Sequence, residues 1–191
     1  MVILVELLGT IRKRLPIRYM TPGKYEVTIN GICEGFGFGY DSTQHVLTGD
    51  RAKLLDVSQW GSVKLHNEGY QFAYCTNLAG FSALDSPDLS GVTNMRSMFR
   101  GARLFNQDIG SWDVSGVTDM SAMFGDAVSF NQDIGSWDVS GVTSMRSMFR
   151  DAASFNQDIS GWAVTQRTSH KDMFNNCPID QDNKPKFSSS R

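Results

Sequence analysis

The sequence predicts an α/β repeat fold: a short right-handed solenoid with a β-rich N-terminal cap. Three observations carry this expectation. The chain repeats itself at 25-residue spacing, with FNQDIGSWDVSGVTDMSAMF from Phe105 to Phe124 followed by FNQDIGSWDVSGVTSMRSMF from Phe130 to Phe149. Apolar residues within each unit recur three and four positions apart, the period of a helix face. Upstream, Tyr25, Val27 and Ile29 alternate with polar residues, the period of a half-buried strand.

Composition narrows the function classes. The 191 residues suffice for one or two domains with a sizeable core. A net charge of −2 gives no global attraction to nucleic acid or to an acidic membrane. Cys33, Cys75 and Cys177 are odd in number and far apart, which fits neither a disulfide framework nor a zinc pattern. No apolar run approaches the roughly 20 residues that cross a bilayer. Residues 2–8 are apolar, but Arg12, Lys13 and Arg14 follow them, the reverse of the order in a signal peptide.

In chain order, residues 1–20 form an N-terminal segment without a clear pattern, broken at Pro16. Residues 21–49 are expected to form a β-hairpin cap. Thr21-Pro22-Gly23 is a turn signal, Tyr25–Ile29 the first strand, Asn30-Gly31 a hairpin turn and Ile32–Tyr40 a second extended stretch. GFGFGY at 35–40 lacks the spacing of a dinucleotide fingerprint and is read as strand.

Residues 50–177 are expected to be repeat coils. Comparison of 100–124 with 125–149 gives 18 identities in 25 positions, and a third copy begins FNQDI at Phe155 before decaying. Phe72-Ala73-Tyr74-Cys75 matches Phe99-Arg100-Gly101-Ala102, so 50–99 reads as divergent coils, as terminal repeats usually are. Within a coil, Val92, Met95, Met98, Phe99 and Ala102, and their equivalents 25 and 50 residues on, predict a short helix. Ser90-Gly91, Ser115-Gly116 and Ser140-Gly141 stand where a serine caps a helix start. Phe105–Val114 predicts an extended arc with a turn at Gly110-Ser111. Cys75 and Cys177 fall in the column of Ala102, Ala127 and Ala152, and are therefore read as core. Residues 178–191 read as a C-terminal tail.

These blocks, FNQDI, GSWDVS and VTxMxxMF, resemble the BspA-like surface-protein repeats, also known from mycoplasma lipoproteins. The resemblance covers about 85–177. It implies a leucine-rich-repeat-like architecture with a helical and a strand-like arc per turn, membership of cell-surface adhesion proteins, and no catalytic residues or cofactors. The upstream TPGKYEVTING resembles the last strand of a PKD-type domain, of which too little remains for a full sandwich. A hairpin cap, a remnant of that domain, and a truncated gene model both accommodate this.

No HExxH, CxxC or GxSxG motif occurs, and His45, His66 and His170 are mutually distant in sequence. Stacked carboxylates at Asp108/Asp133/Asp158 and Asp113/Asp138, with Asn106/Asn131/Asn156, raise calcium binding. That chemistry needs several converging oxygens, and the glycine-rich nonapeptide is missing. A hydrogen-bonded ladder at the bends is the favoured reading.

Positions that vary between copies point to a binding surface. Arg96, Arg100 and Arg103 fall at i, i+4 and i+7, which on a helix is one face. With Arg146 and Arg150 they make a basic strip interrupted by Asp119 and Asp126. The expected function is a non-enzymatic cell-surface interaction or adhesion module that binds a protein or an anionic glycan, without nucleic acid or membrane insertion. The alternative is a phage or virus tail or fibre component that recognises a host surface.

Overall fold

A 25-residue unit has too few neighbours to bury its own apolar side chains, so copies must cover one another. The computed structural model describes residues 33–36, 51–61, 63–65, 67–165 and 167–187. Successive units lie directly on one another. Isolated parallel bridges link Asn94 to Asp119, Asp119 to Ser144 and Ser144 to Ser169, each one repeat apart. The regular strands are β1, Cys33–Phe36, and β2, Val63–Leu65, which pair in parallel with Cys33 opposite Val63. The hairpin strand expected over 25–29 and the N-terminal segment 1–20 lie outside the described residues.

The expected α/β, leucine-rich-repeat-like solenoid is overturned by the backbone. The described residues contain no α-helix, only two three-residue 3₁₀ turns, Arg51–Lys53 and Gln181–Asn183. Where helices were expected, each coil runs through overlapping turns. Met98 N–H donates to Met95 O, Arg100 N–H to Ser97 O and Ala102 N–H to Phe99 O. Left-handed residues break any helix every four positions: Ser97 and Gly101, Ala122 and Asp126, Ser147 and Asp151, Asp172 and Asn176. The serines expected as helix caps instead sit in turns of their own. Ser115 N–H and Ser140 N–H donate to Asp113 and Asp138.

Alternate N–H groups of this arc leave their own coil. Met95, Ser97, Phe99 and Gly101 donate to the carbonyls of Asp119, Ser121, Met123 and Gly125 at 2.8–2.9 Å. The pattern recurs one coil on and again after that, 24 residues apart each time. The left-handed conformation costs a non-glycine residue roughly 1–2 kcal/mol. Ser97, Ala122, Asp126, Ser147 and Asp151 each gain an inter-coil hydrogen bond in return.

Packing follows the same columns. Phe72, Phe99, Phe124, Phe149 and Phe174 form one stack, with centroids 5.5–5.8 Å apart and planes within 11°. Phe105, Phe130 and Phe155 form a second, and each coil couples the two, as in Phe124–Phe130 at 4.0 Å. Cys75 is fully buried in this core and Cys177 packs at its end. Residues 178–187 lie against the last coil. Ile159 N–H donates to Asn183 O, Lys184 sits over the Phe174 ring, and Phe187 stacks on His170.

Candidate interaction surface

The Asp and Asn columns serve the bends. Asn106 Oδ1 accepts Asn131 N–H, Asn131 Oδ1 accepts Asn156 N–H, and Asn156 Oδ1 accepts Asp180 N–H, at 2.8–2.9 Å. Asp108, Asp133 and Asp158 each close their own turn by accepting the N–H two residues on. A shallow open groove is lined by Asp133, Gly135, Ser136, Gln157 and Asp158. Among the described residues no three His, Cys, Asp or Glu side chains gather as metal ligands do.

The arginines of the varying positions do not share a helix face, because that segment is not helical. Arg100 and Arg150 fall in one column, Arg96 and Arg146 in a neighbouring one, and Arg103 in neither. In the first, Arg100 Nε lies 3.4 Å from the Asp126 carboxylate of the next coil, and Asp126 N–H donates to Arg150 O. Arg150 in turn pairs with Asp151 at 3.1 Å, and Asp151 accepts from Asn176. Asn176 is the chief cause holding the Asp151 carboxyl below its ordinary range, with Arg150 adding to it. Arg100 and Arg51 both lie over the Tyr74 ring, at 5.9 and 5.6 Å. Tyr74 is a participant that sequence reasoning missed. Its equivalents are Gly101, Asp126 and Asp151, so no aromatic column announced it.

The second column is Arg96, Ser121, Arg146 and Lys171. Arg96, Arg146 and Lys171 are exposed, and among the described residues none has an ion-pair partner. Arg103 is exposed and likewise without an ion pair among those residues. Asp119 is not directed at these arginines. Its Oδ1 accepts Ser121 N–H at 2.8 Å within its own turn. Asp126 has two tasks, since it is also a left-handed turn residue with φ of 59°.

Burial pushes the Cys75 thiol up to about 12 and raises that of Cys177, so neither is poised as a nucleophile. What the arrangement defines is a repeat protein with chemically varied side chains on a regular backbone frame. Over residues 66–187 the chain matches the family described as Mycoplasma protein of unknown function, DUF285, and it belongs to that family. No curated protein and no solved structure matches the chain.

Proposed function

We propose that this protein is a non-enzymatic interaction module of the BspA-like kind, displayed at a cell surface, that binds an anionic glycan or an acidic protein through its repeat face. The observation that carries this reading is the column of Arg96, Arg146 and Lys171. These cations are exposed, have no ion-pair partner among the described residues, and stand in register with Ser121 between the arginines. A cation already matched by a carboxylate, such as Arg100, has less to offer a ligand. Individually weak contacts at fixed spacing strengthen one another when a single polymer engages several.

The test measures binding to immobilised heparin over a range of salt, for the parent chain and for the variant with Arg96, Arg100, Arg146 and Arg150 all changed to Glu. Loss of salt-sensitive binding with an unchanged circular dichroism spectrum is expected. Equal affinity for both proteins rejects the basic face. Brief protease treatment of intact source cells tests display. Release of peptides from 100–174 is expected, whereas recovery only in purified particles favours a virion appendage.

A further inference from the structure

We propose that the C-terminal edge of the stack docks an extended acidic polypeptide segment of a partner protein. This surface lies at the end of the stack, shares Lys171 with the exposed cation column, and does not depend on Arg96 or Arg146.

The inference begins with how peptide groups line up between coils. Tyr70 N–H donates to Arg96 O. The N–H of the same peptide unit, on Ser97, donates to Ser121 O. Ala122 N–H continues to Arg146 O, and Ser147 N–H to Lys171 O. The row ends at Asp172 N–H. Three parallel rows end in the same way, at the N–H groups of His170, Phe174 and Asn176. Every peptide in these four rows points its N–H toward the C-terminal end. Aligned peptide dipoles leave partial positive charge where their donors are exposed.

The last coil keeps the local conformation of the coils before it. Met173, Asn175 and Cys177 make the internal turn bonds, and Asp172 and Asn176 have φ of 57° and 56°. The four outward donors are thus formed as in every interior coil, yet no hydrogen bond joins them to another described residue. Residues 178–187 cover the side chains of His170 and Phe174 and leave these amides bare.

The chemistry of the edge selects its occupant. An ordinary strand edge presents both donors and acceptors, so part of it would meet like groups here. Across these four rows the edge presents donors, which require carbonyl and carboxylate oxygens; the neighbouring Thr168 O, counterpart of the Thr93, Thr118 and Thr143 carbonyls that accept from the next coil, lies 3.0 Å from His170 Nδ1. Lys171 adjoins the row and Lys184 stands over Phe174. Arg167 and Lys186 add to the positive charge of these segments, against Asp172 and Asp182, while Asp180 faces Asn156. An acidic segment satisfies both the donors and the field.

The test is amide hydrogen exchange on the full chain with poly-L-glutamate as the probe. In the free protein His170, Asp172, Phe174 and Asn176 exchange rapidly, while Met145, Ser147, Phe149 and Asp151 are protected. When about nine tenths of the protein is bound, exchange at the four edge amides slows roughly tenfold, because only the free fraction exchanges. The Lys171→Glu, Lys184→Glu double variant loses this slowing. An Arg96→Glu, Arg146→Glu variant retains it, which separates the edge from the repeat face. Unslowed edge amides overturn the proposal, as does equal slowing by an uncharged serine–glycine peptide. Slowing that grows with protein concentration without probe also overturns it, since the occupant is then a second copy.

Discussion

The indole N–H of Trp137 donates to the carbonyl of Ile109 in the preceding coil, 3.2 Å away and buried. Trp162 repeats the contact with Ile134 at 3.1 Å. Each tryptophan therefore bolts two coils together with a polar contact inside an apolar column. Ile109 O also receives Trp112 N–H, so it keeps one partner when the indole is removed. Trp137→Phe is expected to cost about 0.5–1.5 kcal/mol for the lost hydrogen bond, plus a packing contribution. Trp137→Ala, which empties the column, is expected to cost about 3–5 kcal/mol. Urea unfolding of the two variants measures the separation.

Ala122 has a φ of 53° and donates its N–H to Arg146 O. Glycine keeps that donor and relieves the left-handed strain, at some cost in chain entropy. Ala122→Gly is expected to be neutral to stabilising by about 1 kcal/mol, the reverse of its effect in a helix. A lower urea midpoint for this variant would contradict the turn conformation.

Gly135 shows the opposite constraint. A Cβ there would stand 2.6 Å from the carbonyl oxygen of Asp158 in the next coil. Gly135→Ala is expected to destabilise by about 1–3 kcal/mol. Gly161, with no atom within 4 Å of a built Cβ, is the control, and its alanine variant is expected within about 0.5 kcal/mol of the parent. Ser160 occupies the equivalent of Gly135 in the final copy, where residues 178–187 replace a full coil. The third copy thus departs from the repeat where its covering layer does.

Much of the columnar order was legible in the sequence, because residues that bury one another across coils recur at fixed spacing. The Phe stacks, the Trp column and the burial of Cys75 all follow from that. The helix did not follow. Met95, Met98, Phe99 and Ala102 carry the three-and-four spacing of a helix face, but three overlapping four-residue turns bury the same positions. A local signal did favour turns: Gly101, Asp126, Asp151 and Asn176 form a column of residue types that tolerate left-handed backbone. Asp126 of this column also stands in the varying basic strip, where variation suits a ligand contact equally well. The column at Ser97, Ala122 and Ser147 carried no such signal, since alanine adopts that conformation only when the neighbouring coil compels it.

Six aspartates tie the fold to acidity: Asp85, Asp88, Asp113, Asp138, Asp151 and Asp158. The Ser115, Ser140 and Ser160 hydroxyls, then their backbone N–H groups, hold Asp113, Asp138 and Asp158 below the ordinary 3.8. A lowered folded-state value means that the stabilisation is fully present above the unfolded value and is lost as pH falls through the folded one. The urea midpoint is expected to drop below about pH 3.8 on this account. The drop is expected to be shallower in an Asp113→Asn, Asp138→Asn, Asp158→Asn variant. Parallel curves for the two proteins would exclude these carboxylates as the cause.

Burial raises the Cys75 thiol to about 12, so its reactive thiolate is scarce at neutral pH and its sulfur is enclosed. Iodoacetamide on the native chain, followed by peptide mapping, is expected to leave Cys75 unmodified until urea unfolds the protein. Labelling of Cys75 at native rates equal to those in urea would show that the core opens readily.

The inter-coil hydrogen bonds run along the stack, and the covalent chain winds across it. A force that draws the C-terminus away from the N-terminus therefore loads the four peptide rows in succession, and the last coil separates before the one beneath is strained. Each detached coil would release 25 residues, a contour gain of about 80–90 Å at roughly 3.3–3.6 Å per residue. Such a molecule lengthens in steps under tension, and each step discards one complete layer while the layers below it stay packed.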